Sequence, residues 1–304
     1  MEAGMSRGPN FFAGPYLERR AEMRADVRWL EAALADPDTL FLPVLGTAQF
    51  VSREPAPHAA FVHAGHALVQ TMEVSRLTPL GWFRGTRCVM CEVEEREAAL
   101  LLSDARFEEL RPLTSMLPAD EAGLLAYARA LAIWRAGHRF CGRCGAPTQA
   151  ERAGHALRCS NAACAREVFP RIDPAIIVLV TDGERALLGR QASWPAGRYS
   201  TIAGFVEPGE SLEDAVTREV FEETGVRIAS VDYHSSQPWP FPASLMIGFT
   251  ARAPAGAVAC ADGELEDARW FTREEIASGL PALPPSTSIS YRLIEGWYEA
   301  DPRG

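Results

Sequence analysis

The stretch GFVEPGESLEDAVTREVFEETGV, Gly204 to Val226, decides the fold. Ser211 is placed to cap a helix, and Asp214, three residues on, stands in for the Glu of a capping box. Gly225 falls where a helix most readily ends, in a left-handed residue. Neither Gly nor Pro interrupts the segment between them. At about 100° per residue, Leu212, Ala215 and Val216 share one side of this helix. Glu219 and Glu223 continue that side, and Glu222 lies close by. An apolar stripe thus gives way, in its last two turns, to three carboxylates at i, i+3 and i+4. Like charges so spaced destabilise a bare helix by about a few tenths of a kcal/mol. Buried without a positive partner, they cost far more. A hard divalent cation is the natural partner, because Mg²⁺ and Mn²⁺ take carboxylate oxygens. Arg218 is placed to brace one carboxylate or the preceding loop. Taken alone, E-x-x-E-E reads as a solvated acidic helix end.

The wider spacing changes that reading. Gly204 is followed by five residues, Glu210, seven residues and Arg218-Glu219. Then come Val220, one residue, Glu222-Glu223, one residue, and Gly225-Val226. This pattern resembles the Nudix box at every specified position. The resemblance implies a loop–helix–loop that holds divalent metal against a diphosphate.

A chain of 304 residues is expected to form two domains, each with its own core. Hydrophobic content of 47% and charge of 23% are ordinary globular values. The net charge of −10, from 30 basic and 40 acidic residues, argues against a broad nucleic-acid or membrane surface. The longest apolar run, Ala175 to Val180, is far too short to span a bilayer. The N-terminal residues lack an apolar signal core, and the last four carry no simple retention signal. The expectation is a cytoplasmic protein with no membrane partner.

Residues 1 to about 40 read as a Gly- and Pro-rich loop and then a helix. Arg24, Val27, Trp29, Leu30 and Leu34 have helical spacing, and Pro37 stops it. From Phe41 to about Leu102, FLPVLG, AAFVHAG, HALVQTM, CVMCEVE and AALLLS read as strands of a small sheet. Asp120 to about Ala136 reads as a helix packing by Leu124, Ala128 and Leu131. Ile172 to Thr181 and Arg185 to Arg190 read as a hairpin turned at Asp182-Gly183. Ser244 to Ala251 and Ala268 to Phe271 follow as strands, and Ser288 to Glu299 as a last helix. Leu293, Ile294 and Trp297 share a face of that helix. Strands on both sides of the acidic helix predict helices packed on a mixed sheet.

Seven cysteines are present, and four cluster: Cys141-Gly-Arg-Cys144, then Cys159 and Cys164. Such clustering suits a metal site in a reducing compartment better than a disulfide framework. Two pairs on tight turns can place four sulfurs about 2.3 Å from one Zn²⁺. Four thiolates leave no open position, so the zinc is read as structural. The four residues between Cys159 and Cys164 predict a looser second knuckle. Cys88 and Cys91 also form a C-x-x-C, but on a predicted strand they face opposite sides. Those two and Cys260 are read as core or surface residues.

The segment Ser236-Gln-Pro-Trp-Pro-Phe-Pro-Ala-Ser244 carries three prolines that stiffen it. Trp239 and Phe241 are then flat surfaces held at low entropy cost, suited to stacking a base or nicotinamide ring. Gln237 and Ser244 can bond polar edges or phosphate. The alternative is a proline-rich turn with its aromatics packed inward. With the Nudix box and the cysteine cluster in one chain, this segment resembles the SQPWPFPxS signature of the NADH pyrophosphatase branch of the Nudix family. The FAGPYLERRAEMR opening and the Phe169-Pro-Arg-Ile-Asp-Pro-Ala175 lead-in are similar to that branch as well.

The resemblance implies an α+β chain in three parts. Residues 1–137 form an N-terminal sheet domain, Nudix-like and dimerising. Residues 138–170 form the four-cysteine zinc ribbon. Residues 171–304 form a Nudix α/β/α sandwich with a mixed sheet. It implies a homodimer that cuts NADH or NAD⁺ to nicotinamide mononucleotide and AMP, and in bacterial members removes NAD caps from RNA. It implies Mg²⁺ or Mn²⁺ ligands at the Ala203 carbonyl, Glu219, Glu223 and Glu264, with Glu222 a bridging ligand or base. Gln237, Pro238, Trp239, Pro240, Phe241, Pro242, Ala243 and Ser244 match the dinucleotide-binding segment, and Ser290 a late backbone contact. Phe169 stands where a contacting Tyr is found, and Gly154 where a contacting Glu is found. The rivals are a broader Nudix hydrolase on ADP-ribose or modified nucleotides, an RNA-binding module, and a silent NAD(H) sensor. The charge of −10 weakens the RNA-binding reading, since phosphate neutralisation dominates such affinity.

Overall fold

The computed structural model describes residues 8–101, 105–260 and 263–300. The chain falls into two compact units. Among the described residues, one comprises 8–11, Asp173–Trp239 and those from Ser244 to 300; the other comprises Phe12–Ile172 and Pro240–Ala243. The ribbon groups with the N-terminal sheet, and residues 8–11 group with the Nudix sheet.

In the Phe12–Ile172 unit, β1 (Leu17–Glu18) precedes α1 (Val27–Ala35), which Asp26 caps through the Arg28 N–H. Next come β2 (Leu40–Leu45), β3 (Ala48–Ser52), β4 (His58–Ala59) and α2 (Ala67–Thr71). They are followed by β5 (Leu77–Phe83), β6 (Thr86–Glu92), α3 (Glu95–Ala98) and β7 (Ala105–Glu109). The short α4 (Leu110–Leu113) leads to α5 (Ala119–Gly137). The strands form a sheet in the order β1-β5-β6-β2-β3-β4, with β7 also on β3. Leu124, Ala128 and Leu131 of α5 are buried, as their spacing predicts. Cys91 joins Val89 in the core against α1, while Cys88, also buried, lies outside that cluster.

Two expected strands are helices. HALVQTM forms α2, where His66 Nδ1 accepts the Leu68 N–H. AALLLS begins at the end of α3 and continues as a 3₁₀ turn over Ala99–Leu101; Leu102 and Ser103 lie outside the described residues. Apolar runs of this length fit either structure, and local caps decide. The Glu97 carboxylate accepts the Glu94 N–H at 2.8 Å, committing that turn to helix. AAFVHAG is strand only at Ala59, with Val62 bridging Phe41.

The ribbon is an antiparallel sheet of β8 (Thr148–Glu151), β9 (Ala156–Cys159) and β10 (Glu167–Val168). His155, 6% exposed, donates from Nε2 to the Pro79 carbonyl at 2.7 Å and stacks on Tyr127. Gly154 beside it has φ of 86°, and a Cβ there would lie 2.4 Å from Arg135 Nη1 and 2.5 Å from Thr78 Oγ1. A side chain has no room at this position, which accounts for glycine.

The Nudix sheet has the order β14-β15-β11-β12-β16, with β13 on β11. The strands are β11 (Asp173–Thr181), β12 (Arg185–Arg190), β13 (Ile202–Phe205), β14 (Ser230–Trp239), β15 (Ser244–Arg252) and β16 (Asp267–Thr272). β11 pairs parallel with β15 and antiparallel with β12 and β13, so the sheet is mixed. Alternation along β11 builds two cores. Ile176, Val178 and Val180 meet Ala215, Val216 and Val220 of α6 (Leu212–Thr224). Ile177 and Leu179 meet Ile289, Leu293 and Ile294 of α8 (Ile289–Glu299). A short α7 (Arg273–Ala277) follows β16. This is the expected α/β/α sandwich. Among the described residues, no helix is long and apolar enough to cross a membrane.

Burial, reinforced by Arg24, Arg19 and Arg135 and opposed by the Pro79 bond, lowers the His155 pKa to about 4. Between the unfolded value, about 6.5, and 4, the unfolded chain binds the extra proton, so stability falls as pH drops. The limiting slope is about 1.4 kcal/mol per pH unit. Urea midpoints measured from pH 7 to pH 4.5 should therefore fall more steeply for the parent than for His155→Gln. Equal slopes would show that folding does not shift the imidazole pKa.

Candidate active site

α6 is set by its ends. The Asp214 N–H donates to Ser211 Oγ at 3.1 Å, and the Ser211 N–H donates to Asp214 Oδ2 at 3.1 Å. Gly225 closes the helix at φ of 69°. Between these caps, the face carrying Ala215, Val216 and Val220 also carries Glu219 and Glu223, both more than nine-tenths buried. Glu222 stays exposed.

Arg218 ties these acids to the loop before them. Its Nε and Nη2 hold Glu210 Oε1 and Oε2 at 2.6 and 2.9 Å. Nη1 donates to Glu219 Oε1 at 2.8 Å and to Glu222 Oε2 at 3.0 Å. Nη2 also donates to the Phe205 carbonyl at 3.0 Å. The sequence suggested one carboxylate or the loop; Arg218 takes three carboxylates and the loop. With the Glu207 N–H, it holds the Glu210 carboxyl down at about 2. Glu219 moves the other way: burial raises its pKa against the pull of Arg218, and the charges of Glu222 and Glu264 add to the rise.

Gly204 makes room for this carboxylate. A Cβ built there would lie 2.0 Å from Glu219 Cδ and Oε1. The Glu219 head therefore rests on the backbone next to Ala203, which pairs with Ile177 across β13 and β11. Glu264 is exposed, and its charge reaches Glu219. Glu219, Glu222, Glu223 and Glu264 bring four negative charges, and Arg218 returns one positive. An oxygen-only donor set with that excess, and a cradle that a methyl group would fill, fits a hard divalent cation. Among the described residues, only the four cysteines bring three or more ligand atoms within 4.8 Å of one another, so the acids do not converge that closely around Arg218.

The segment expected as a proline loop is a hairpin. Gln237, Pro238 and Trp239 are the end of β14, and Trp239 pairs with Ser244 at the start of β15. β14 is an edge strand, where a proline costs no ladder bond on its open side. Gln237 is fully buried. Its Oε1 accepts the Ile289 N–H at 2.9 Å, and Nε2 donates to the Thr287 and Phe11 carbonyls at 2.8 and 3.2 Å. Its amide thus fastens the strand end. Ser290 is likewise occupied, with Oγ 2.9 Å from Ser200 Oγ and 3.1 Å from the donating Thr201 N–H. Pro240, Phe241, Pro242 and Ala243 form the turn. Phe241 lies 4.3 Å from the Arg111 guanidinium, 5.2 Å from that of Arg129, and meets Phe12 edge-on. Arg129 also donates to the Pro240 carbonyl.

Family models match three consecutive stretches: a NUDIX domain over residues 171–294, an NADH pyrophosphatase zinc ribbon domain over 136–169, and an NADH pyrophosphatase-like rudimentary NUDIX domain over 38–134. The NAD-capped RNA hydrolase NUDT12 of Macaca fascicularis is 33% identical over 96% of this chain and 74% of its own length. The chain belongs to the NADH pyrophosphatase branch of the Nudix hydrolases. The human protein of the same name is 41% identical over 63% of the chain, a match spanning 45% of that protein. The NAD-capped RNA hydrolase NudC of Stutzerimonas stutzeri (strain A1501) is 46% identical over 63% of the chain and 67% of its own length.

The zinc ribbon of this Nudix hydrolase brings its sulfurs together as the spacing predicts. Cys141 and Cys164 are 3.8 Å apart, and Cys144 and Cys159 3.4 Å. The wide second pair is closed by Asn161, whose carbonyl accepts the Cys164 and Ala165 N–H groups at 2.9 and 2.8 Å. The Arg143 and Cys144 N–H groups lower the Cys141 thiol to about 6, while burial raises Cys159 to about 12. Such crowded sulfurs discharge together only onto a cation, here structural zinc. Phe169 is 52% exposed, with the Arg152 guanidinium 5.3 Å from its ring.

Two residues escaped the sequence reading. Phe205, next to Gly204, is 61% exposed, and its carbonyl accepts from Arg218. Alternation along β13 was the available signal. Asn10, distant in sequence, gave none.

Gly204→Ala should leave the fold intact and push the Glu219 carboxylate off its cradle. Titration with Mn²⁺ should show affinity weakened about 10–100-fold, the usual effect of disturbing a ligand's support. Unchanged affinity would separate Glu219 from the metal.

Proposed function

We propose that this Nudix hydrolase cuts the diphosphate of NADH or NAD⁺ into nicotinamide mononucleotide and AMP, and removes NAD caps from RNA 5′ ends. Mg²⁺ or Mn²⁺ would be held by the Ala203 carbonyl, Glu219, Glu222, Glu223 and Glu264. The observation that carries the reading is a register. Ser244 pairs with Asp173 and Phe205 with Ala175, so the proline hairpin and the acid cradle flank the same end of β11. That common strand end supports a site in which diphosphate chemistry and an aromatic surface act on one substrate.

A bound divalent cation neutralises phosphate charge and lowers the pKa of water. The chain's own residues do the rest. Glu222, exposed where Glu219 and Glu223 are buried, takes the proton from water, with Glu264 the next candidate. Arg218 keeps the acids in register. Trp239 and the exposed Phe205 ring offer stacking faces, while Gln237 holds the hairpin that presents Trp239. Pro238, Pro240, Phe241, Pro242, Ala243, Ser244, Phe169 and Ser290 complete the proposed substrate contacts. A homodimer in the reducing cytoplasm is part of the same proposal, supported by the branch resemblance and the four-thiol zinc site.

The direct test is a hydrolysis panel with Mg²⁺ or Mn²⁺ over NADH, NAD⁺, ADP-ribose, diadenosine polyphosphates and NAD-capped RNA, with products separated by chromatography. Glu219→Gln and Glu223→Gln should each lose turnover by about two orders of magnitude or more while staying folded, because a neutral amide is a poor ligand for a hard cation. Near-normal turnover in either would remove that residue from the metal site.

Trp239→Ala should lower kcat/KM for NADH by roughly tenfold to a hundredfold, the cost of about 1–3 kcal/mol for losing a stacked aromatic. The loss on ADP-ribose, which lacks nicotinamide, should be smaller. Equal losses on both substrates would make Trp239 a structural residue.

A further inference from the structure

We propose that Asn10 is a positioning residue for the dinucleotide-binding hairpin, a role that rests on the substrate reading above. β14 is paired with β15 up to Trp239 and held at Gln237, but it is irregular just before that point. It is an edge strand, its register against β15 shifts between Tyr233 and Ser235, and Pro238 lacks a backbone donor. Asn10 supplies support at that shift. Its side chain, 6% exposed, donates from Nδ2 to Ser235 Oγ at 3.0 Å and to the Ser236 carbonyl at 2.7 Å. Its Oδ1 accepts from Arg292 Nη1 at 2.9 Å, which anchors the amide to α8. The next residue continues the brace, since the Phe11 carbonyl accepts from Gln237 Nε2. Both donors and the acceptor of Asn10 are therefore in use, and a planar amide is the group that fits.

The bonds fall on the three residues just before Pro238-Trp239. Their loss leaves the acids on α6 untouched and loosens the strand at its register shift, so that Trp239 is presented less precisely although Gln237 still holds the strand end. The effect belongs in substrate binding, not in the chemical step.

The test compares Asn10→Ala and Asn10→Asp with the parent, using NADH binding without divalent cation, read by NADH fluorescence, and steady-state kinetics with Mg²⁺. Asn10→Asp keeps an acceptor for Arg292 but loses both donated bonds. Thr272→Ala, which removes the cap bond to the Glu275 N–H on α7, controls for lost stability in the same unit. Both Asn10 variants should weaken NADH binding and raise KM about tenfold, with kcat within about twofold. Thr272→Ala should lower the melting temperature and leave KM unchanged. Binding and KM within twofold of the parent for either Asn10 variant would overturn the proposal, and so would an equal rise in KM for Thr272→Ala. Failure of the parent to cleave NADH would overturn the substrate reading instead. The variants would then be compared on ADP-ribose, where the same outcomes decide for or against Asn10.

Discussion

The active end of this molecule depends on keeping like charges together. Glu219 and Glu223 are buried on α6 with Glu222 beside them, and such a helix would fray without a counter-charge. Arg218 provides it from within the helix. One guanidinium reaches Glu210, Glu219 and Glu222 and still binds the Phe205 carbonyl. The planar fork of arginine makes these bonds at fixed angles, which a lysine could not match. Gly204 contributes by absence, leaving the space in which Glu219 rests. The loop, the helix and the strand before them are thus one electrostatic object.

The second constraint is the alternation along β11. Successive residues feed two cores, so α6 and α8 are positioned from opposite faces of one strand. The same strand receives β13 over its first half and β15 along its whole length. That register puts Phe205, next to Gly204, and Ser244 at pairing positions near the Asp173 end of the strand.

What the sequence disclosed follows from the range of each interaction. The α6 caps, the hairpin at Asp182-Gly183 and the cysteine pairs involve residues a few positions apart, and all were legible. HALVQTM and AALLLS were not, because a short apolar run fits helix and strand alike and the deciding bonds come from His66 and Glu97. The proline segment was legible as stiff. Its division into a strand end and a turn depends on pairing with β15, and the burial of Gln237 on contacts with Thr287 and Phe11. Asn10 stands furthest from legibility, since nothing near it in sequence hints at Ser235.

The bonds from Asn10 to Ser235 and Ser236 span 225 and 226 residues. A ribosome releases the amino-terminal partner of each bond early and the other after most of the chain has been made. Closing so long a loop adds little entropy beyond that of a shorter one, because the cost grows only with the logarithm of length. Order of events is what it changes. The sheet over β2 to β7 involves residues made well before Ser235 and can assemble during synthesis, whereas the base of the hairpin waits for its partner and for Arg292. A chain lacking α8 would lose Arg292, the donor to the Asn10 amide oxygen, together with the core that Ile289, Leu293 and Ile294 build on β11, so the base of the hairpin is among the last parts of this sheet to be secured.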